Sequence, residues 1–175
     1  VLILASFLAA RYSGFAPHAI VASLVFEQTY SRVEGDSASL AELAALMSSL
    51  AEAPVRQSLA VTGSVNQLGR VQAVGAINEK IEGFFRSCEL LGLDGQQGVL
   101  IPQRNRRHLM LAPRLVEAVS AGRFHIYTAD RVSDGMELLT GRSFGTLGPH
   151  GYPAETVLGR AQLTLSTYRQ ACENL

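Results

Sequence analysis

Apolar positions along this chain switch between two periods. Spacings of three to four residues predict helices over VLILASFLAARY (1 to 12), SASLAELAALMSSLAE (37 to 52), GAINEKIEGFFRSCELL (75 to 91), PRLVEAVSAG (113 to 122), RVSDGMELLTG (131 to 141) and ETVLGRAQLTLSTYRQACENL (155 to 175). Between them, runs rich in β-branched and aromatic residues predict strands over AIVASLVFEQTY (19 to 30), QGVLIP (97 to 102) and RFHIYT (123 to 128). SLAVTGSVNQLGRVQAV (58 to 74) predicts a hairpin, because Asn66 to Gly69 supplies turn chemistry between two alternating runs. Pro54 closes the second helix. Strands interleaved with helices predict an α/β domain with short strands and flanking helices. We expect that domain over residues 1–141, a Gly/Pro-rich linker over 142–154 and a terminal helix over 155–175.

Composition narrows the class of function. The chain has 175 residues, 47% of them hydrophobic and 17% charged, which suffices for one well-buried core. Its formal net charge is zero, so no overall field favours nucleic acid or an anionic membrane, and neither partner is expected. The opening apolar run is too short to span a bilayer and lacks the basic start of a signal peptide. With no initiator methionine, it reads as a buried helix of a longer polypeptide, and the chain as an N-terminally truncated fragment. Cys88 and Cys172 stand far apart without metal-ligand spacing, which argues against a metal site or disulfide scaffold and fits a reducing, cytoplasmic setting.

Candidate chemistry gathers at two helix starts. In GDSAS, residues 35 to 39, Asp36, Ser37 and Ser39 can each cap the helix that follows, and Ser39 with Glu42 has capping-box spacing. Alternatively, Ser37 sits among unpaired backbone N–H groups at the positive end of a helix dipole, where an oxyanion is stabilised. Such a nucleophile needs a base. On the 75–91 helix, at 100° per residue from Ile77, the apolar stripe of Ile81, Phe84, Phe85, Cys88 and Leu91 spans about 320° to 80°, and the acids and Arg86 face about 120° to 200°. Lys80 falls at about 300°, at the edge of the stripe and toward the core. A lysine there either snorkels to water or is partly desolvated, and desolvation pulls a lysine down from its ordinary value of about 10.4. A neutral amine beside a serine hydroxyl is a Ser–Lys nucleophile–base pair. Carboxylates at Glu34 or Asp36 close to Lys80 would oppose that activation.

Together GDSAS, VTGSVNQLGRVQAVGAINEKIEGFF, QGVLIPQRN and FHIYTADRVSDGMELLTG resemble the proteolytic domain of the Lon peptidase family, over roughly residues 1 to 141. The family's nucleophilic serine falls on Ser37, its catalytic lysine on Lys80 and the supporting threonine on Thr62 in VTGS. Where that family often has proline before the serine, Asp36 stands here, and Ser39 and Ala76 replace two glycines, wording that is similar to the bacterial Lon-related branch. The resemblance implies an ATP-dependent serine endopeptidase acting on unfolded or misfolded proteins, with ATP and Mg bound by an AAA+ module elsewhere in the full-length chain, and a homo-oligomer, commonly a hexamer. This segment has no Walker-type phosphate loop, and no cofactor is expected to bind it. A rival is a silent oligomerising or substrate-holding module of the same fold. The QRNRRH run (103 to 108) reads as a solvated basic loop, His108 and His125 as structural, and Ser58 and Ser64 as strand serines ranked behind Ser37.

Overall fold

The computed structural model describes residues 2–12, 20–25 and 35–173. Helix α1 (Leu2–Arg11) is followed by α2 (Ser39–Ala51), β1 (Leu59–Val61), β2 (Ser64–Val65), β3 (Val71–Gln72) and α3 (Ile77–Leu91). The second half runs β4 (Gly98–Pro102), a 3-10 helix (Gln103–His108), α4 (Pro113–Ser120), β5 (His125–Ala129), α5 (Val132–Thr140) and α6 (Val157–Glu173). The α/β expectation holds.

Three parallel strands in the order β1–β4–β5 form the main sheet, with Leu59 opposite Gly98 and Gly98 opposite His125. The central strand β4 is buried at every position, as its uninterrupted apolar sequence requires when helices cover both faces. Side chains alternate across it. Leu100 joins a core with α1, α2, α5 and α6, whereas Val99 and Ile101 join a second core with α3 and α4. In the second core Phe124 is fully buried and meets Phe85 edge-on at 5.1 Å. Gly98 has no substitute, since a Cβ would lie 2.6 Å from the His125 carbonyl oxygen.

Three expectations change. The 58–74 run is not one hairpin: β1 pairs in parallel with β4, the chain breaks at Thr62 and Gly63, and only Ser64–Val65 returns against Val71–Gln72. The predicted turn does form, with Asn66 Oδ1 accepting the N–H groups of Leu68 and Arg70 and Gly69 at φ 76°. Of the strand expected over 19–30, residues 20–25 belong to no strand and the remainder lie outside the described residues. Leu91 leaves the α3 stripe, 89% exposed, because the helix ends there.

Segment 142–154 is anchored. Phe144 is buried, its N–H donates to Glu137 Oε1 at 2.8 Å, and its carbonyl accepts the Leu158 N–H at 2.9 Å. Thr156 then starts α6, its hydroxyl donating to the Pro153 carbonyl (2.7 Å) and accepting the Gly159 N–H (3.1 Å). Val157, Leu158, Ala161 and Leu165 of α6 join the core of α1 and α2, and the Tyr12 hydroxyl donates to the Leu158 carbonyl at 3.0 Å. The terminal helix therefore shares the core of the segments before it.

Candidate active site

The break after β1 builds the site. Thr62 still donates its N–H to Leu100 on β4 (3.0 Å), but Gly63 turns its N–H to the Ser37 carbonyl (2.8 Å) and accepts the Leu40 N–H (3.1 Å). The segment before α2 is thereby sewn to the end of a sheet strand. Glycine suits position 63, where a Cβ would stand 3.1 Å from both Leu40 Cδ2 and Val71 Cγ1 and push these side chains aside. The Thr62 hydroxyl adds a second donor to the Ser37 carbonyl at 3.3 Å.

Lys80 enters from the first turn of α3. Its Nζ lies 3.0 Å from Ser37 Oγ and 3.4 Å from Thr62 Oγ1. Helix α3 starts from Ala76 in the left-handed conformation, φ 53° and ψ 38°, and the Ala76 carbonyl accepts the Lys80 N–H. This is one of the positions where the resemblance calls for glycine, so the sharp entry turn survives with a methyl group that strains it. Just upstream, buried Asn105 grips the Val74 backbone at both ends, accepting its N–H at 3.0 Å and donating to its carbonyl at 2.9 Å. Asn78 likewise donates to the His108 carbonyl and accepts the Met110 N–H.

Two expectations about the pair are corrected. Lys80 is exposed, so its amine is not desolvated by the core; the helix edge that carries it faces the open end of β1 and the hydroxyls of Ser37 and Thr62. Neither Ser37 nor Ser39 caps α2. The N-cap is Ala38 with no side-chain cap, and Ser39, the first helical residue, uses its Oγ to accept the Val65 N–H at 2.9 Å. Ser39 joins the helix to the hairpin instead of closing the helix on itself.

Asp36 is turned away from the amine, its Oδ2 accepting the Ser64 hydroxyl at 2.5 Å. Among the described residues no carboxylate lies within ion-pair distance of Lys80. Glu34 lies outside the described residues. Ser64, bonded to Asp36, and Asn105, bonded to Val74, hold the segments that carry Ser37 and Lys80, contacts that the sequence reading does not reach. The only signal for Asn105 is an uncharged polar residue in the middle of QRNRRH. His125 stands at the opposite end of the sheet, its Nε2 against the Gly95 carbonyl at 2.8 Å. No group of three potential metal ligands occurs among the described residues.

Fold and site define an α/β domain in which a serine hydroxyl and a lysine amine share a hydrogen bond at the carboxyl end of a parallel sheet. Residues 30–139 match the Lon protease (S16) C-terminal proteolytic domain, and the chain belongs to this family. It is a Lon-like peptidase domain. It is 59% identical over 118 residues to a putative Lon protease homolog of Escherichia coli K12, covering 67% of this chain and 20% of that protein. A putative Lon protease homolog of Haemophilus influenzae is 49% identical over 121 residues, 69% of this chain and 20% of its own length. An archaeal Lon protease of Pyrococcus abyssi is 36% identical over 113 residues, 65% of this chain and 10% of its length. The chain thus spans a fifth or less of these curated relatives. No helix among the described residues is long and apolar enough to cross a membrane.

Proposed function

We propose that this domain is a serine endopeptidase in which Ser37 is the nucleophile and Lys80 the general base. The observation that carries the reading is the 3.0 Å separation of Lys80 Nζ and Ser37 Oγ, within reach of a direct proton transfer. Ser37 Oγ attacks the scissile carbonyl carbon as its proton passes to the neutral Lys80 amine. The tetrahedral oxyanion forms beside the backbone N–H groups of Ser37 and Ala38, which donate to no oxygen among the described residues. As the C–N bond breaks, Lys80 returns the proton to the leaving amine, and the acyl group stays on Ser37. Water then attacks the ester, giving its proton to Lys80, and Ser37 Oγ takes that proton back on release of the acid.

Thr62 supports the pair by accepting from the amine while holding the Ser37 carbonyl. Asp36 supports it indirectly, because its bond to Ser64 fixes the turn before α2. Unfolded or misfolded polypeptides are the substrates that this family membership favours. ATP and Mg are assigned to an AAA+ module elsewhere in the full-length, hexameric, cytoplasmic protein.

In the full-length protein with ATP, Ser37→Ala and Lys80→Ala each abolish cleavage of an unfolded protein substrate and leave ATP hydrolysis in place. Lys80→Arg is equally inactive, since guanidinium does not give up its proton at working pH. Cleavage by Lys80→Ala at the wild-type rate would sink the assignment. A wild-type protein that hydrolyses ATP and binds but never cuts its substrate would instead identify a silent holding module.

A further inference from the structure

A cavity of about 420 Å³ lies between α1, the hairpin turn, the start of α5 and the loop before α6, and shares no residue with the Ser37–Lys80 pair. Two arginines line it, Arg11 and Arg131, whose charges act on one another, with Ser133, Thr146 and the apolar Leu147 and Leu158 completing the wall. Neither arginine makes an ion pair among the described residues.

Arg11 is held in place. Its guanidinium carbon stacks 3.7 Å above the centre of the Phe7 ring. Gly69 packs against the edge of this stack, where a Cβ would come within 2.8 Å of both an Arg11 terminal nitrogen and the Phe7 ring. The Arg11 carbonyl accepts the Tyr152 hydroxyl at 3.3 Å. Burial pulls the Arg11 guanidinium below its ordinary range; Tyr152 and Tyr12 oppose the shift, and the charge of Arg131 adds to it. The acids nearby are already engaged. Asp130 pairs with Arg70 at 2.8 Å, and Asp134 spends one carboxylate oxygen on the backbone N–H groups of Asp130 and Arg131. A half-buried cation with a second cation beside it and no ion-paired carboxylate among the described residues is an arrangement that costs stability unless an anion neutralises it. Planar N–H forks suit an oxyanion with two or more oxygens.

We propose that this cavity is an oxyanion-binding site, in which the guanidinium groups of Arg11 and Arg131 together hold a phosphate or carboxylate group. Two sources share that chemistry: a free small anion, or an acidic side chain from a part of the polypeptide beyond this chain.

The full-length protein is melted in increasing sodium phosphate, with sodium chloride at matched ionic strength as reference, for wild type, Arg131→Gln and Arg142→Gln. Arg131 is exposed and its structural bonds are made by its backbone, so Gln keeps the fold; Arg142 is an exposed arginine outside the cavity. A free-anion site gives a saturable rise in Tm with phosphate in wild type and Arg142→Gln, lost in Arg131→Gln. An internal carboxylate gives no phosphate shift, but Arg131→Gln alone then melts lower than Arg142→Gln, and high salt narrows the difference. The proposal is overturned if phosphate has no saturable effect and both variants melt alike, or if the phosphate shift persists unchanged in Arg131→Gln.

Discussion

Replacing Ser39 tests how the nucleophile's turn is fastened. Ser39 is 8% exposed and its Oγ accepts the N–H of Val65, which is fully buried. Ser39→Ala removes that acceptor and leaves a buried N–H without a partner, at a cost of about 1–3 kcal/mol. Helix capping alone would also lose about 1 kcal/mol on the change to alanine, so alanine by itself does not separate the two roles. Glycine does. At an N-cap, glycine is better than alanine and costs only a few tenths of a kcal/mol relative to serine. At a first helical residue that cross-links to a strand, Ser39→Gly loses the same bond as Ser39→Ala and adds up to about 1 kcal/mol of helix penalty. The expected order is therefore serine, then alanine, then glycine, read from urea denaturation with unchanged m-values. For a domain of this size each kcal/mol corresponds to roughly 2–4 °C in Tm. Glycine more stable than alanine, or alanine within about 0.5 kcal/mol of wild type, would refute the cross-link.

Ala76→Gly is expected to stabilise the protein by about 0.5–1 kcal/mol. The left-handed Cβ penalty of about 1–2 kcal/mol is relieved, against about 0.4–1 kcal/mol of added unfolded-state entropy; a loss of stability would contradict the strain at Ala76. Tyr12→Phe removes the bond to the Leu158 carbonyl and costs about 0.5–1.5 kcal/mol near neutral pH. Burial, and then Tyr152, raises the Tyr12 phenol above the ordinary value of about 10, while Arg11 opposes. The neutral phenol's contribution is thus complete below about pH 10 and is lost as pH rises toward the folded-state value. Denaturation at pH 9 and pH 11 should show the gap between wild type and Tyr12→Phe narrowing at the higher pH, and an unchanged gap would count against burial as the cause.

Helices and the α/β class were legible because each rests on a local period. QGVLIP reads as a buried strand whatever its neighbours, and the α3 stripe places Ile81, Phe85 and Cys88 inward, as the second core has them. The hairpin was overextended because parallel pairing leaves no local mark. LAV can continue toward SV in sequence, yet its N–H and carbonyl groups are taken by β4, a strand far along the chain. Capping grammar misread Ser39 for a related reason. Serine at a helix start bonds whichever buried donor is nearest, and here that donor is on the hairpin.

By itself the sequence determined the alternation of elements and the chemical types at Ser37, Lys80 and Thr62, since local period and residue identity are properties of the chain. Tertiary structure alone decided that the Lys80 amine and Ser37 hydroxyl lie 3.0 Å apart, that Asp36 turns to Ser64, and that Asn105 fixes the entry to α3. Each of these depends on where β1 ends beside β4 and on how α3 docks, placements set by pairing and packing between residues distant in sequence.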